Sequence, residues 1–223
     1  MGNELKNGHQ ITTVVFDMDG TVLNTLEDLA GSMNYSLKAV GMPERTVDEF
    51  RRFVGNGARE ALRKALPEGT STDILDEMFP IFKEHYDEHC LDKTEPYEGI
   101  LDLMKELKKR GYRMAIVSNK IDSAVKELNK RFFGDLIDVA IGEQPGVNRK
   151  PAPDMVETAL KELGSTKEES VYVGDSEVDY LTAKNSGLPC ISVLWGFRDK
   201  EYLIEQGAYC FADAPADIVD MIG

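Results

Sequence analysis

The first apolar run, Val14-Val15-Phe16, is short, β-branched or aromatic, and stops abruptly at Asp17. A run of that kind bounded by a turn signal predicts a buried strand. From Leu26 to about His89 the period becomes helical. Leu26, Leu29, Ala30, Met33, Leu37 and Val40 share one face and are stopped by Gly41-Met42-Pro43. Val47, Phe50, Phe53 and Val54 mark a shorter amphipathic piece, and Ala58, Ala61, Leu62, Ala65 and Leu66 another, ended by Pro67 and Gly69. Leu75, Met78, Phe79, Phe82 and Tyr86 line a longer helix. Pro80 should kink or divide it, because the ring removes a donor and clashes with the preceding turn.

After Pro96 helices and strands alternate. A helix face of Ile100, Leu103, Met104 and Leu107 closes at Gly111, and a strand from Arg113 to Val117 ends in Ser118-Asn119-Lys120. Val125, Leu128 and Phe132 form the next helix face, closed by Gly134, before a strand near Ile137 to Ile141 and a loop from Gly142 to Pro153. A helix over Val156, Ala159, Leu160 and Leu163 ends at Gly164, and the strand Val171-Tyr172-Val173 ends in Gly174-Asp175-Ser176. A helix through Asp179 to Asn185 stops at Gly187, with further strands at Cys190 to Leu194 and Tyr209 to Ala212. Such alternation argues for an α/β core, a parallel sheet covered on both faces. The first strand then belongs to that later sheet, and the helical block is an insertion. The expected domains are residues 1–23 and 95–223 for the core and 24–94 for the insertion.

Composition narrows the partners. Of 223 residues, 42% are apolar and 30% charged, enough to bury a core. With 26 basic and 40 acidic residues the net charge is −14, which disfavours nucleic acid and anionic membranes. An anionic substrate would need a local positive site. Cys90, Cys190 and Cys210 are scattered and odd in number, as expected of buried thiols in a reducing cytosol. The first ten residues have no apolar core for a secretion signal, and Lys6 stands where myristoylation expects Ser or Thr. No stretch approaches a membrane span. A soluble, cytoplasmic protein is expected.

Three predicted strands end in polar residues: Asp17 with Asp19, Ser118 with Asn119, and Asp175 followed by Asp179. In a parallel sheet those ends share one edge, where ligands bind. Two carboxylates 4 Å apart repel by ~4 kcal/mol at an effective dielectric near 20, so a cation or Lys must offset them. Lys150, before Pro151, lies in a loop between the second and third groups. Clustered carboxylates with a single Lys describe a Mg²⁺ site, since hard cations prefer oxygen ligands. Each residue also has a plainer reading. Asp-x-Asp-Gly is an ordinary turn, Ser118 a cap, Lys150 a solvated charge, and Asp179 a first-turn acid favoured by the helix dipole.

Taken together, these residues resemble the haloacid dehalogenase-like hydrolase superfamily. Asp17-Met18-Asp19-Gly20-Thr21 is similar to its first motif, Ser118 to the second, Lys150-Pro151 to the third, and Gly174-Asp175-Ser176-Glu177-Val178-Asp179 to the fourth. Within it the chain resembles the phosphoglycolate phosphatase group, through Phe53-Val54-Gly55-Asn56-Gly57-Ala58, Tyr97-Glu98-Gly99-Ile100, Ser118-Asn119-Lys120, Val173-Gly174-Asp175-Ser176 and Trp195-Gly196-Phe197. Asn24-Thr25 departs from the Asp-Ser that the group often carries there.

The resemblance implies a Rossmann-like core with an inserted helical cap. It implies a Mg²⁺-dependent phosphatase acting on a small phosphorylated metabolite, 2-phosphoglycolate favoured. Asp17 would be the nucleophile and Asp19 the acid–base group. Asp17, Asp175 and the backbone carbonyl of Asp19 would hold the metal, with Asp179 either a direct ligand or one step removed. Ser118, Lys150 and the backbone around Met18 and Asn119 would bind the phosphoryl group. Gly55, Asn56 and Gly57 would help choose the substrate, and Arg59 could reach a substrate carboxylate or be an exposed helical Arg. The open alternatives are a sugar-phosphate mutase, a pyrophosphatase and a phosphate-binding module without turnover. Gly55-Asn56-Gly57 lacks a preceding strand and a third glycine, so it is not a dinucleotide fingerprint. His85 and His89, one turn apart, have no third metal ligand in the sequence pattern and read as a solvated helix face.

Overall fold

The computed structural model describes residues 10–223. The expectations of no secretion signal and no myristoylation concern residues 1–9 and lie outside the described residues. In chain order, β1 (Thr13–Phe16) is followed by β2 (Leu23–Asn24), α1 (Leu26–Ala39), α2 (Val47–Phe53), α3 (Ala58–Ala65), α4 (Thr72–His89) and β3 (Glu95–Pro96). Then come α5 (Ile100–Lys109), β4 (Arg113–Ile121), α6 (Asp122–Phe132), β5 (Val139–Glu143), α7 (Asp154–Leu163) and β6 (Ser170–Gly174). The chain finishes with α8 (Glu177–Ser186), β7 (Cys190–Val193), α9 (Lys200–Glu205), β8 (Phe211–Ala212) and α10 (Pro215–Ile222). It divides into two compact units, one of residues up to Val22 with Pro96–Gly223, the other Leu23–Glu95.

The first unit is built on a six-stranded parallel sheet in the order β5-β4-β1-β6-β7-β8. β1 lies between β4 and β6, with Phe16 in register with Ile116 on one side and Val173 on the other. All four residues of β1 are buried. That requires cover on both faces, which a continuous apolar run supplies and an alternating one would not. Val15, Ala115, Val117 and Ile141 pack with Met155, Val156, Ala159 and Leu160 of α7 and Ala183 of α8. The chain builds outward from β1 to β4 and β5, then recrosses β1 to start β6. That reversal places a crevice at the C-terminal ends of the central strands.

The second unit holds α1 to α4, with β2 and β3 pairing where the chain enters and leaves it. Leu29, Met33 and Leu37 of α1 and Leu75, Met78, Phe82 and Tyr86 of α4 are buried, and α1 packs on α4. Thr46 and Glu49 close the start of α2 with a reciprocal capping box, which satisfies two otherwise orphaned donors.

Several expectations are corrected. Of the kink or division expected at Pro80, division is overturned: α4 is one helix from Thr72 to His89. The proline is exposed, so the carbonyl of Asp76, deprived of its donor, can be satisfied by water. β4 continues to Ile121, so Ser118, Asn119 and Lys120 lie inside the strand and not after it. The register with β5 shifts between Val117 and Ile121. These polar residues read as loop, yet they are only 2%, 5% and 8% exposed. β5 starts later than expected, at Val139, after a 3₁₀ turn over Gly134–Leu136. β2, β3, α9 and α10 were not foreseen. His85 and His89 are half-buried, not a fully solvated face: their rings stack at 4.3 Å, Tyr35 stacks on His85 at 4.1 Å, and His85 meets the Ser32 hydroxyl at 3.0 Å. Cys90 and Cys190 are buried and Cys210 half-buried. No described helix is long and apolar enough to cross a membrane.

Candidate active site

At the end of β1 the Asp17 N–H still donates to the Val173 carbonyl, at 2.9 Å, so the nucleophile candidate leaves the sheet at a fixed height. The chain then turns tightly, with the Thr21 and Val22 amides donating to the Met18 carbonyl. Gly20 has φ +90, and a Cβ there would run into the carboxylate of Asp175. Only glycine suits both demands.

Asp175 follows β6 and is almost fully buried. Its Oδ2 accepts the Phe197 N–H at 2.6 Å and its Oδ1 the Thr21 hydroxyl at 3.4 Å. Gly196 lies against the same side chain, where a Cβ would collide with Asp175 and with the Gly20 carbonyl. Trp195 donates to the Thr21 carbonyl at 2.9 Å. Trp195-Gly196-Phe197, which carried only a resemblance in the sequence, thus forms the backing of an acidic residue.

Asp179 closes the start of α8, as its reading as a first-turn acid expects, and also faces the acidic cluster. Its Oδ2 accepts the Ser176 N–H at 3.1 Å and hydroxyl at 2.5 Å, completing the capping box of α8. Its Oδ1 accepts Lys150 Nζ at 2.8 Å and the Tyr172 hydroxyl at 3.1 Å. A carboxylate offers about four acceptor sites, so these donors fill it. Lys150 Nζ also meets Asp17 Oδ1 at 2.6 Å and the Tyr172 hydroxyl at 3.1 Å. Asn119 Nδ2 donates to the Lys150 carbonyl at 3.0 Å and holds the loop that carries it. Tyr172 was expected only as a strand residue, and no feature of the sequence distinguishes its hydroxyl.

Among the described residues, Asp17, Asp175 and Asp179 are the one group of acidic, His or Cys side chains able to hold a metal ion, with ligand atoms within 4.8 Å of one another. Burial, followed by the charge of Asp179, holds the Asp17 carboxyl well above its ordinary range despite Lys150. Asp175 is raised to about 7 by burial and then by Asp179. Burial alone would push the Lys150 ammonium down, but Asp17 and Asp179 outweigh it and hold it well up. Three carboxylates around one ammonium leave uncompensated negative charge, and every donor is oxygen, which fits a hard divalent cation.

Asp19 stands apart from that cluster. Both of its oxygens face Lys120 Nζ, at 3.0 and 3.2 Å. The sequence signals Lys120 only as a cation two residues after the candidate hydroxyl, within Ser118-Asn119-Lys120. Ser118 Oγ accepts the Lys120 N–H at 3.2 Å, and Met18 is fully buried. The remaining candidates belong to the helical unit. Gly55 and Gly57 have φ of +119 and +82, and Gly57 caps α3. Asn56 lies between them. Arg59 pairs with Asp76 and lies over the Phe79 ring, with nearly half of its side chain exposed.

A family model described as haloacid dehalogenase-like hydrolase matches residues 14–193. Phosphoglycolate phosphatase 1 of Pseudomonas aeruginosa is 30% identical over 213 residues, 92% of this chain and 78% of that one. Pyrophosphatase PpaX of Halalkalibacterium halodurans is 29% identical over 215 residues, 96% of this chain and 98% of that one. A crystal structure of a Lactobacillus delbrueckii protein, provisionally named a phosphoglycolate phosphatase, superposes with a TM-score of 0.92 at 36% identity, covering 96% of this chain and 99% of the other.

Proposed function

Because the chain belongs to the haloacid dehalogenase-like hydrolase family, in its phosphoglycolate phosphatase-like group, we propose that it is a phosphatase that hydrolyses a small phosphorylated metabolite, with 2-phosphoglycolate favoured, through an aspartyl-phosphate on Asp17. The observation that carries this reading is the pairing of two buried lysines with two aspartates: Lys150 on Asp17 at 2.6 Å and Lys120 on Asp19 at 3.0 Å. A module that only bound phosphate would need neither a nucleophile nor a separate acid–base carboxylate beside it.

Asp17 attacks phosphorus and divides one difficult displacement into two easier ones. Asp19 protonates the departing oxygen and then takes a proton from the water that hydrolyses the intermediate. The Ser118 hydroxyl and the backbone of Met18 and Asn119 orient the phosphoryl oxygens, and the Lys150 ammonium supplies charge stabilisation where negative charge redistributes. Asp17, Asp175 and the Asp19 carbonyl would hold Mg²⁺, which when bound neutralises the repulsion between nucleophile and phosphate. The donors already around Asp179 favour a supporting role for it, one step removed from the ion. The helical unit would serve as the cap, with Gly55, Asn56, Gly57 and Arg59 helping to choose the substrate.

A second reading is inorganic pyrophosphate as substrate, favoured by the pyrophosphatase relative, which this chain matches over 98% of that relative's length. Phosphate release from 2-phosphoglycolate, hexose phosphates, nucleotides and pyrophosphate with Mg²⁺ separates the two. Asp17→Ala should lower turnover of the preferred compound by at least about 10³-fold, since the covalent route is lost. Turnover unchanged in that variant would sink the mechanism, and release from pyrophosphate alone would replace the favoured substrate.

A further inference from the structure

We propose that Lys120 is the positioning residue of the acid–base group: it holds the Asp19 carboxyl group in the orientation from which its protonated form serves the leaving oxygen. The proposal rests on the phosphatase reading above. Lys120 Nζ contacts Asp19 Oδ1 and Oδ2 at 3.0 and 3.2 Å, so one ammonium spans the whole carboxylate. The terminal torsion of Asp is broad and roughly two-fold, and a donor shared by both oxygens narrows it. The lysine side chain is only 5% exposed, whereas that of Asp19 is 20% exposed. Burying an ammonium is costly unless it is paired, so this lysine is committed to the inside of the site rather than free to reach for solvent.

The backbone supports the same role. Lys120 lies in the stretch of β4 where the register with β5 shifts, and its N–H donates to Ser118 Oγ at 3.2 Å. The hydroxyl proposed to bind the phosphoryl group and the lysine that grips the acid–base group are thereby held together. Labour is divided between the two ammoniums. Lys150 serves Asp17 and Asp179, and Lys120 serves Asp19.

In the first step an Asp17 carboxylate oxygen gives an electron pair to form a bond to phosphorus while the phosphorus–oxygen bond to the leaving group breaks, and that bond's pair goes to the leaving oxygen, which takes a proton from Asp19. The carboxylate so formed faces the Lys120 ammonium. In the second step water attacks phosphorus and gives a proton to Asp19, while the bond from phosphorus to Asp17 breaks and its pair returns to the Asp17 oxygen. A misdirected Asp19 harms the first step in proportion to how much the leaving oxygen needs a proton.

The test compares kcat/KM, which reports through the first irreversible step, on an alkyl phosphate (2-phosphoglycolate) and on p-nitrophenyl phosphate, whose leaving group is stable as an anion. Positioned general acids contribute about 10²–10⁴-fold. Lys120→Met should therefore lose about 10²-fold on the alkyl ester and under about fivefold on the aryl ester, with Lys120→Arg recovering part of the alkyl rate. In an Asp19→Asn background, Lys120→Met should cost under about threefold more, because residues acting through one another are not additive. Equal losses on both esters, or full additivity with Asp19→Asn, would overturn the proposal while leaving the phosphatase reading intact. A wild type that hydrolyses neither these esters nor any other phosphate ester of the panel overturns that reading and this proposal with it. Should Lys120→Met fail to fold, Lys120→Gln and Lys120→Arg carry the same comparison.

Discussion

Two glycines make room for the acidic site and a buried tyrosine bonds within it. Gly196 leaves room for the side chain of Asp175 and for the Gly20 carbonyl. Gly196→Ala should displace Asp175 and lower activity by more than about tenfold, since misplacing a reacting or metal-binding group by an ångström costs up to about 10²-fold. Wild-type rates in that variant would mean that the loop gives way. The Tyr172 hydroxyl bonds both Lys150 and Asp179 inside the core. Burial, ahead of the electrostatic effects of Lys150 and Asp179, raises its phenol well above the ordinary range, so it stays a neutral donor throughout the working pH range.

Among the elements, α4 shows how burial overrides a local breaker. Leu75, Met78, Phe82 and Tyr86 bury one face, and the Phe82 and Tyr86 rings stack at 5.4 Å, while Pro80 faces solvent. Pro80→Ala restores the donor to the Asp76 carbonyl and should stabilise the chain by roughly 1–3 kcal/mol, below the full proline penalty because the unfolded chain also gains freedom. Thermal or urea unfolding reads this directly. A destabilised variant would show that the proline shape is needed by its neighbours. β4 gives the converse case. Its apolar half ends at Val117, yet pairing continues with a shifted register to Ile121, which keeps Ser118, Asn119 and Lys120 inside the sheet.

For the molecule as a whole, a net charge of −14 sets the general repulsion of anions against two buried lysines placed at the proposed site. With Asp17 and Asp175 both raised by burial, the folded chain holds acidic groups that resist ionising together. A divalent cation would relieve that strain and so bind the folded state preferentially. Mg²⁺ at 100-fold over its Kd should add about 2.7 kcal/mol of stability. For a chain of this size that is a rise of roughly 5–10 °C in Tm. Asp175→Asn should abolish most of the rise. An unchanged wild-type Tm across a wide Mg²⁺ range would count against the metal site.

Much of this architecture is written in periodicity. The apolar run before Asp17, the helical spacing from Leu26 to His89 and the later alternation of elements identify an α/β core, because burial on one face or two leaves a period in the chain. Asp17 and Asp175 were visible for a related reason: each follows an apolar run just where a strand ends. Partnership was not visible. That Lys120 faces Asp19, that Tyr172 reaches Lys150, and that Phe197 supports Asp175 depend on residues 101, 22 and 22 positions apart brought together by parallel pairing. Strand limits such as that of β4 also escaped, since a polar residue reads as loop until its hydrogen-bonding partners are known. Local chemistry specifies which residues can act, and non-local packing specifies which of them act on one another.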